Sequence, residues 1–434
     1  MFRSYITIAM RHLARHKLFA AINVLSLAVS LALCLIMIGH ISYEFSFEDC
    51  HDNNSRIYRV VGDYRADDGV DRSAQVMAPL GPAMVANLPE VEQAAVFRHV
   101  DSVKVGIDRE RVQAGNLICA NPDLLKVFTL PLLQGNPERA LIEPGAVLIT
   151  ENAARRLFAG LNPVGKSISF GELFEGRVVG VLADIPSNTQ LQCDFVASLA
   201  SLNEDITSWD RFGQDYVYVM LKDGADPARV LPTATALLRQ NFDPETAGRF
   251  TLHLQPLGEI YFGGYRSGEL SPRGETEYMY VWSFISVFIL ILAVTNFVNL
   301  STAKASDRMR EVGMRKVLGA FRGQLIRQHL GEALLITVVA TIISLVLYEI
   351  FKNAVADYMP REMLADFYRN SRMMLATGGL VLLVALLAGF YPALYLSRFQ
   401  PLTILRASKG AKSTRSRLRK TLVVVQFTIA IMFI

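Results

Sequence analysis

Residues 18–43 read LFAAINVLSLAVSLALCLIMIGHISY and contain no Lys, Arg, Asp or Glu. A helix of about 20 apolar residues crosses the hydrocarbon core of a bilayer. Basic residues precede the stretch, as they do in a signal peptide, but its apolar part is longer than a signal peptide requires. No cleavage site with small residues follows it. The stretch therefore predicts a membrane span that is retained in the mature protein.

Further apolar runs lie downstream of this span. Residues 278–303 and 373–397 are also free of charge, whereas the run over 333–348 is shorter. For residues 333–348 the alternative is a buried helix of a soluble domain. The charge pattern requires an even number of membrane crossings, so we predict a span over 333–351. A last run, 421–434, ends part-way through a span. It predicts a truncated fifth span and the N-terminal half of a longer protein, because a helix end in hydrocarbon leaves carbonyl groups unsatisfied.

Charged residues divide the remaining segments into two classes. Residues 1–17, 304–332 and 398–420 together carry 19 basic and 3 acidic residues, whereas residues 42–277 carry 21 basic and 33 acidic residues. Because cytoplasmic loops are rich in Lys and Arg, the three basic segments are predicted to be cytoplasmic. The acidic segment and the short loop 352–372 are then outside. Basic segments beside spans face anionic lipid, so the bilayer is the implied partner and no nucleic acid is needed.

The segments outside the spans differ in character. Residues 1–17 place their apolar side chains on one helical face, which predicts an amphipathic helix in the inner membrane interface. Residues 398–420 have the composition of a flexible basic linker. Residues 44–277 mix strand patterns, such as RVVGVL, with helix patterns, such as TENAARRLFA. The predicted fold is an α-helical transmembrane bundle of four full spans and a truncated fifth, with a large mixed α/β extracytoplasmic domain.

The stretch GLNPVGKS, residues 160–167, fits the pattern of a phosphate-binding P-loop. A P-loop follows a strand and opens a helix, but here a helix pattern capped by Thr150 comes first and a strand pattern follows. Asn162, Pro163 and Gly165 are turn residues. The stretch is therefore predicted to be a turn, and Lys166 lies on the outer side, where no ATP pool exists. We predict a chain that is not itself an enzyme.

The stretch EVGMRKVLGA, residues 311–320, lies in the cytoplasmic segment 304–332. As a helix it pairs Glu311 with Arg315 one turn apart. Gly313 and Gly319 disfavour a helix unless another chain approaches closely. The residues alone leave two interpretations equally open, a docking surface and a solvated charged helix beside the membrane.

At this point the sequence resembles the FtsX-type permeases of MacB-like (type VII) ABC transporters. EVGMRKVLGA resembles their cytoplasmic signature. FEDCHDNNSRIYRV, NPDLLKVFTLPLLQGNPERAL, VLITENAARRLFAGLNPVGKSI and VVGVLADIPSNTQLQCDF resemble, in the expected order, the MacB-type periplasmic core domain. RKTLVVVQFTIAIMFI resembles the start of the second half found in longer members. Unlike MacB itself, the chain carries no fused ATPase domain.

The resemblance implies a permease subunit that works with a separate ABC ATPase, which would bind and use the ATP, while this chain binds no cofactor directly. The ATPase would dock on the cytoplasmic coupling segment 304–332, and its motion would pass through the spans to the periplasmic domain for efflux or export. The docking residues carried over by match are Glu311, Gly313, Arg315, Lys316 and Gly319. The implied setting is the bacterial inner membrane with a cytoplasmic N-terminus. A dimer of permease halves or subunits is implied, and a periplasmic adaptor is left open, as is the substrate.

Two other classes of protein compete with this interpretation. A membrane-anchored sensor explains the first two spans and the outer domain equally well, but not the further spans. A membrane-bound enzyme would need grouped catalytic residues, and nothing in the sequence groups Asp184, Asp194 and His51.

Two smaller sets of residues complete the expectations. The polar span residues His40, Asn296, Asn299 and Gln426 are predicted to bond between helices or to contact headgroups rather than to line a transport path. The cysteines outside the spans are odd in number, so they imply no complete disulfide framework and are expected to be buried free thiols.

Overall fold

The computed structural model describes residues 17–67, 69–107, 110–303, 314, 316–317, 319, 321–355, 371–397 and a few positions between 421 and 431. It contains two compact units: a large domain, Glu44–Glu275, and a helical unit that holds the long apolar helices. The helices are α1 (Lys17–Glu44), α2 (Leu80–Asn87), α3 (Leu124–Val127), α4 (Glu151–Phe158), α5 (Pro227–Asn241), α6 (Pro244–Arg249), α7 (Thr276–Ala303), α8 (Arg322–Val355) and α9 (Ser371–Ser397).

Helices α1, α7, α8 and α9 are each long and apolar enough to span a membrane. The four meet in a core that contains Leu27, Ala293, Ala340 and Val384. Other Leu, Val and Phe side chains of these helices are exposed, as contact with lipid requires. Helix α8 begins at Arg322, well before the predicted span over 333–351, so the end of the coupling segment is already helical.

Helices α8 and α9 approach closely at one glycine. A Cβ atom placed on Gly389 would stand 2.8 Å from Cβ of Ala333 and 3.1 Å from Cδ2 of Leu330. Small residues at helix crossings allow such contact in membranes, where no hydrophobic effect drives the helices together.

The large domain is built on one 11-stranded sheet. Its strands are β1 (Ile57–Ala66), β2 (Gly69–Ser73), β3 (Val91–Ile107), β4 (Glu110–Ala120), β5 (Leu132–Gln134), β6 (Ala146–Thr150), β7 (Ser167–Phe170), β8 (Glu175–Leu182), β9 (Phe195–Ser198), β10 (Tyr216–Leu221) and β11 (Phe250–Pro256). The order is β11-β1-β10-β3-β4-β9-β6-β8-β5, with β2 on β1 and β7 on both β3 and β8. Because β7 joins β3 to β8, the strands from β3 to β8 close into a ring.

Both faces of this sheet are covered. Successive side chains of a strand point to opposite faces, so one strand contributes to the core on each side. All of β10 is buried. Val217 and Val219 enter one apolar core, whereas Tyr216 and Tyr218 enter the other. Helices α2 and α5 add to the first core and α3 to the second. A strand buried on both sides reads as a continuous apolar run, as YVYVML does.

The stretch 160–167 is a turn, as predicted. Helix α4 starts at the cap Thr150, whose hydroxyl accepts the Ala153 N–H, and it ends at Ala159 in a left-handed conformation. Gly160 follows with φ +84° and Gly165 with φ +88°. The chain then enters β7, so neither the strand before nor the helix after a P-loop is present at this stretch.

Candidate functional site

The chain that leaves α1 is fastened to the chain that leads into α7. The Tyr261 hydroxyl donates to the Glu44 carboxylate over 2.7 Å. The ring of Phe47 stacks on the ring of Tyr261, with centroids 3.5 Å apart and planes 11° apart. Gly274 leaves no room for a Cβ atom against the rings of Tyr261 and Phe262. We call residues 44–52, 186–193 and 259–275 of the large domain the joint.

The carboxylate of Glu48 lies at the centre of the joint and is buried, since Glu48 is only 1% exposed. Its Oε1 accepts the Gln190 N–H over 2.7 Å, and its Oε2 accepts the Thr189 hydroxyl over 2.6 Å. The Glu48 N–H donates to the Asn188 carbonyl over 2.8 Å. Glu48 adopts φ +64°, a strained conformation for a residue with a Cβ atom. The surrounding bonds hold it there.

His51 completes this buried cluster. Its Nε2 lies 3.3 Å from Oε2 of Glu48 and 3.2 Å from Oγ1 of Thr189. Burial works against a charged ring, but hydrogen bonds to Cys50 and Glu48 raise the pKa of His51 to about 9. The Thr129 N–H donates to Nδ1 over 3.2 Å, and that bond opposes protonation because it needs an unprotonated nitrogen.

The return segment of the joint is pinned to the sheet by a second buried charge. Arg59 on β1 is fully buried and binds both oxygens of Glu269, over 2.7 and 2.9 Å. Arg59 also donates to Gln255 over 2.9 Å. The Tyr216 hydroxyl donates to the Gly268 carbonyl over 2.6 Å. The two chain segments that connect the large domain to α1 and α7 are therefore both held by buried, charge-assisted bonds.

The three acid/base candidates of the enzyme alternative have separate structural roles. Asp184 accepts the Asn152 N–H at the start of α4 and pairs with Arg155. Asp194 pairs with Arg156. His51 lies in the joint. None of these contacts groups the three into one acid/base set.

The coupling segment is described only in part. Glu311, Gly313 and Arg315 lie outside the described residues. Gly319 adopts φ +95° and donates its N–H to the Lys316 carbonyl over 3.1 Å, so a helical turn ends there. Burial and the charge of Arg322 lower the pKa of Lys316. The side chains of Met314, Val317 and Phe321 are largely exposed.

Comparison with known proteins identifies the family. The MacB-like periplasmic core domain matches residues 20–237, and the FtsX-like permease C-terminal domain matches residues 283–401. The chain belongs to the MacB-like permease family. The two matches cover most of the large domain, Glu44–Glu275, and most of the helical unit.

Similar proteins include MacB-like permeases that carry an ATP-binding part. A probable export ATP-binding/permease protein MacB of Pseudomonas entomophila is 26% identical over 77% of this chain. A macrolide export ATP-binding/permease protein MacB of Chromobacterium violaceum is 22% identical over 92% of this chain. The chain spans 49% and 60% of these relatives' own lengths. The periplasmic region of MacB from Actinobacillus actinomycetemcomitans aligns at a TM-score of 0.35 and 16% identity over 46% of this chain and 89% of that one.

Two features of this MacB-like permease were missed from the sequence. FEDCHDNNSRIYRV and IPSNTQLQCDF both carried the family resemblance, but only the structure shows that they bond to each other through Glu48 and Thr189. Asn23 is a further polar residue of a span that the sequence prediction did not include. The helix–helix bond predicted for Asn296 is confirmed, since its amide donates to Ser26 of α1 over 3.0 Å.

Proposed function

We propose that this chain is the permease subunit of an ABC export machine that turns ATP hydrolysis by a separate ATPase into movement of the large domain. The family and the names of the relatives support export. The observation that carries the mechanical part is the joint together with Arg59 of β1, because Glu44, Glu48 and Arg59 hold the two segments that lead to α1 and α7. A domain held in this way moves when the spans move, because buried charge-assisted bonds resist displacement.

The proposed orientation follows from charge. The N-terminus and the basic segments face the cytoplasm, and the large domain faces the periplasm of a bacterial inner membrane. In the coupling segment, Met314, Val317 and Phe321 are largely exposed apolar side chains near Gly319 in the sequence. Exposed apolar side chains gain free energy when a partner covers them. We assign these three side chains, with Glu311, Gly313, Arg315, Lys316 and Gly319, to docking of the ATPase.

The proposed cycle needs no solute path through the spans. Closure of the ATPase shifts the coupling segment, α8 and α9 move as a pair because they touch at Gly389, and the joint passes the motion of α1 and α7 to the large domain. The domain then acts on a substrate that is already outside the inner membrane. A second permease copy or half, and a periplasmic adaptor, fit this scheme.

Docking is tested by purifying the full chain from detergent with its bound proteins. Wild type is compared with Gly313→Trp and Glu311→Arg, and any ATPase that accompanies it is identified and assayed for ATP hydrolysis. We expect an ATPase with wild type and its loss from both variants. Equal recovery with all three would place docking elsewhere, and recovery with none would favour the sensor.

Transmission is tested on the same complex by hydrogen exchange of the large domain, with and without vanadate-trapped nucleotide. Wild type should show a nucleotide-dependent change in large-domain peptides. Glu48→Ala should keep the ATPase and its hydrolysis but lose that change. Glu92→Ala, which removes a partly exposed ion pair with Arg56, is the matched control and should behave as wild type. A nucleotide response that survives Glu48→Ala would remove the joint from the mechanism.

A further inference from the structure

Three contacts between α1 and α7 define one register from Ser26 to His40 of α1. Asn296 donates to Ser26 over 3.0 Å, and the Cys34 thiol donates to the Ser286 carbonyl over 3.6 Å. Nearer the large domain, the ring of His40 meets the ring of Trp282 edge-on at 5.9 Å. The helices run antiparallel, so a step toward Lys17 on α1 corresponds to a step toward Ala303 on α7.

This register brings two more asparagines to one level. Asn23 precedes Ser26 by three residues, and Asn299 follows Asn296 by three, so each lies one helical turn beyond the Ser26–Asn296 bond. Asn23 is 1% exposed. Among the residues that the structure describes, neither amide atom of Asn23 has a hydrogen-bond partner, and neither does Oδ1 of Asn299.

Unpaired amide groups are costly at this position. A buried polar group without a hydrogen-bond partner lowers the stability of the fold by about 1–3 kcal/mol. A buried water is stable where two to four polar groups surround it. By the register of the Ser26–Asn296 bond, Oδ1 and Nδ2 of Asn23 and Oδ1 of Asn299 are three such groups at one level. Asn23 lies about 9 Å along the axis from Lys17, the charged residue that precedes the uncharged run, so the path for water from the level of Lys17 is short.

We propose that Asn23 and Asn299 bind a water molecule that bridges α1 and α7 at the Lys17 end of the bundle. The water site lies beside the Ser26–Asn296 bond and one helical turn from Leu27, which begins the apolar core that continues to Leu31. A bridging water can follow a moving amide and keep its hydrogen bonds. We call the contact between α1 and α7 the seam. The Lys17 end of the seam is therefore the end where the two helices can shift most easily. The site is independent of the proposed export function.

Three leucines of α1 provide a matched test. Leu27, Leu31 and Leu35 are each 1% exposed, and they lie one, two and three turns from Asn23. X-ray hydroxyl-radical footprinting of the full chain in nanodiscs, in water enriched in oxygen-18, oxidises side chains next to bound water. We expect Leu27 to take up oxygen-18 severalfold faster than Leu35, with Leu31 near Leu35. Equal, low oxidation of all three would show a dry seam and overturn the proposal.

A variant links the signal to the two amides. Asn23→Leu with Asn299→Leu should lower oxidation of Leu27 to the level of Leu35. Continued oxidation of Leu27 in a folded double variant would show water that the asparagines do not hold, and would also overturn the proposal. The wild-type comparison among the three leucines stands even where the double variant fails to fold.

Discussion

The joint and the seam between α1 and α7 both hold one chain segment against another, but they do so by different means. In the joint, both oxygens of Glu48 accept hydrogen bonds from the loop that follows β8. In the seam, two single hydrogen bonds and one ring contact hold the helices, and neither amide atom of Asn23 has a hydrogen-bond partner among the described residues. A satisfied buried charge resists displacement, whereas a seam with few bonds yields. The comparison teaches that the joint within the large domain is held by satisfied buried bonds, whereas the contact between α1 and α7 depends on few bonds and is the more adjustable of the two.

The largest expected effect comes from breaking the joint at its centre. Glu48→Ala removes the acceptor for the Gln190 N–H, the Thr189 hydroxyl and His51. These buried donors are left unpaired, so we expect a loss of about 3 kcal/mol in the free energy of unfolding of the large domain. Chemical unfolding of the full chain in detergent, followed by Trp209 fluorescence in a Trp282→Phe background, measures it.

Two further variants sharpen this test. Glu48→Gln keeps one acceptor oxygen and should recover about half of the loss. Glu92→Ala removes the partly exposed pair with Arg56 and should change stability by less than about 1 kcal/mol. If Glu48→Ala were no worse than Glu92→Ala, the buried carboxylate would not be what stiffens the joint.

The sequence predicts many of the helices, strands and turns of both the large domain and the helical unit. The uncharged run over 18–43 and the turn at 160–167 follow from local chemistry, because span length and turn residues are local properties. Continuous apolar runs such as YVYVML predict strands, but the ring closed by β7 depends on pairing between distant strands. The joint was not predictable for the same reason, since Glu48 and Thr189 are 141 residues apart. Asn23 reads as an ordinary residue of a span until its neighbours are known.

Tight packing in the helical unit is tested at Gly389. Gly389→Ala places a Cβ atom 2.8 Å from Cβ of Ala333, a short rigid group, so α8 and α9 must separate. We expect a loss of about 1–3 kcal/mol in stability of the helical unit. The control is Gly379→Ala on the same helix, where no described atom lies within 4 Å of the new Cβ. Because alanine favours helix over glycine by about 1 kcal/mol, the control should be neutral or stabilising.

Thermal unfolding of the purified protein in detergent compares the two glycine variants. An equal shift in melting temperature for both would show that the close approach at Gly389 yields without loss. The packing of α8 against α9 at Gly389 would then be as adjustable as the contact between α1 and α7, and only the joint would be stiff.

The smallest expected effect is a pH dependence of the joint. The pKa of His51 is raised to about 9, so its folded-state charge is held at pH values where the unfolded ring, with a pKa of about 6.5, is neutral. Stability from the His51–Glu48 pair is therefore complete below about pH 6.5 and is lost as the pH rises through 9. Part of that loss is offset, because the neutral ring accepts the Thr129 N–H fully at Nδ1. We expect a net loss of about 1 kcal/mol across this range.

His51→Gln keeps hydrogen-bonding groups but does not titrate, so its unfolding free energy should change less with pH between 6.5 and 9 than that of wild type. The same slope in wild type and His51→Gln would mean that the ring stays neutral throughout. In that case Glu48 is held by the loop's N–H and hydroxyl groups alone, and the joint is stiff without an ion pair.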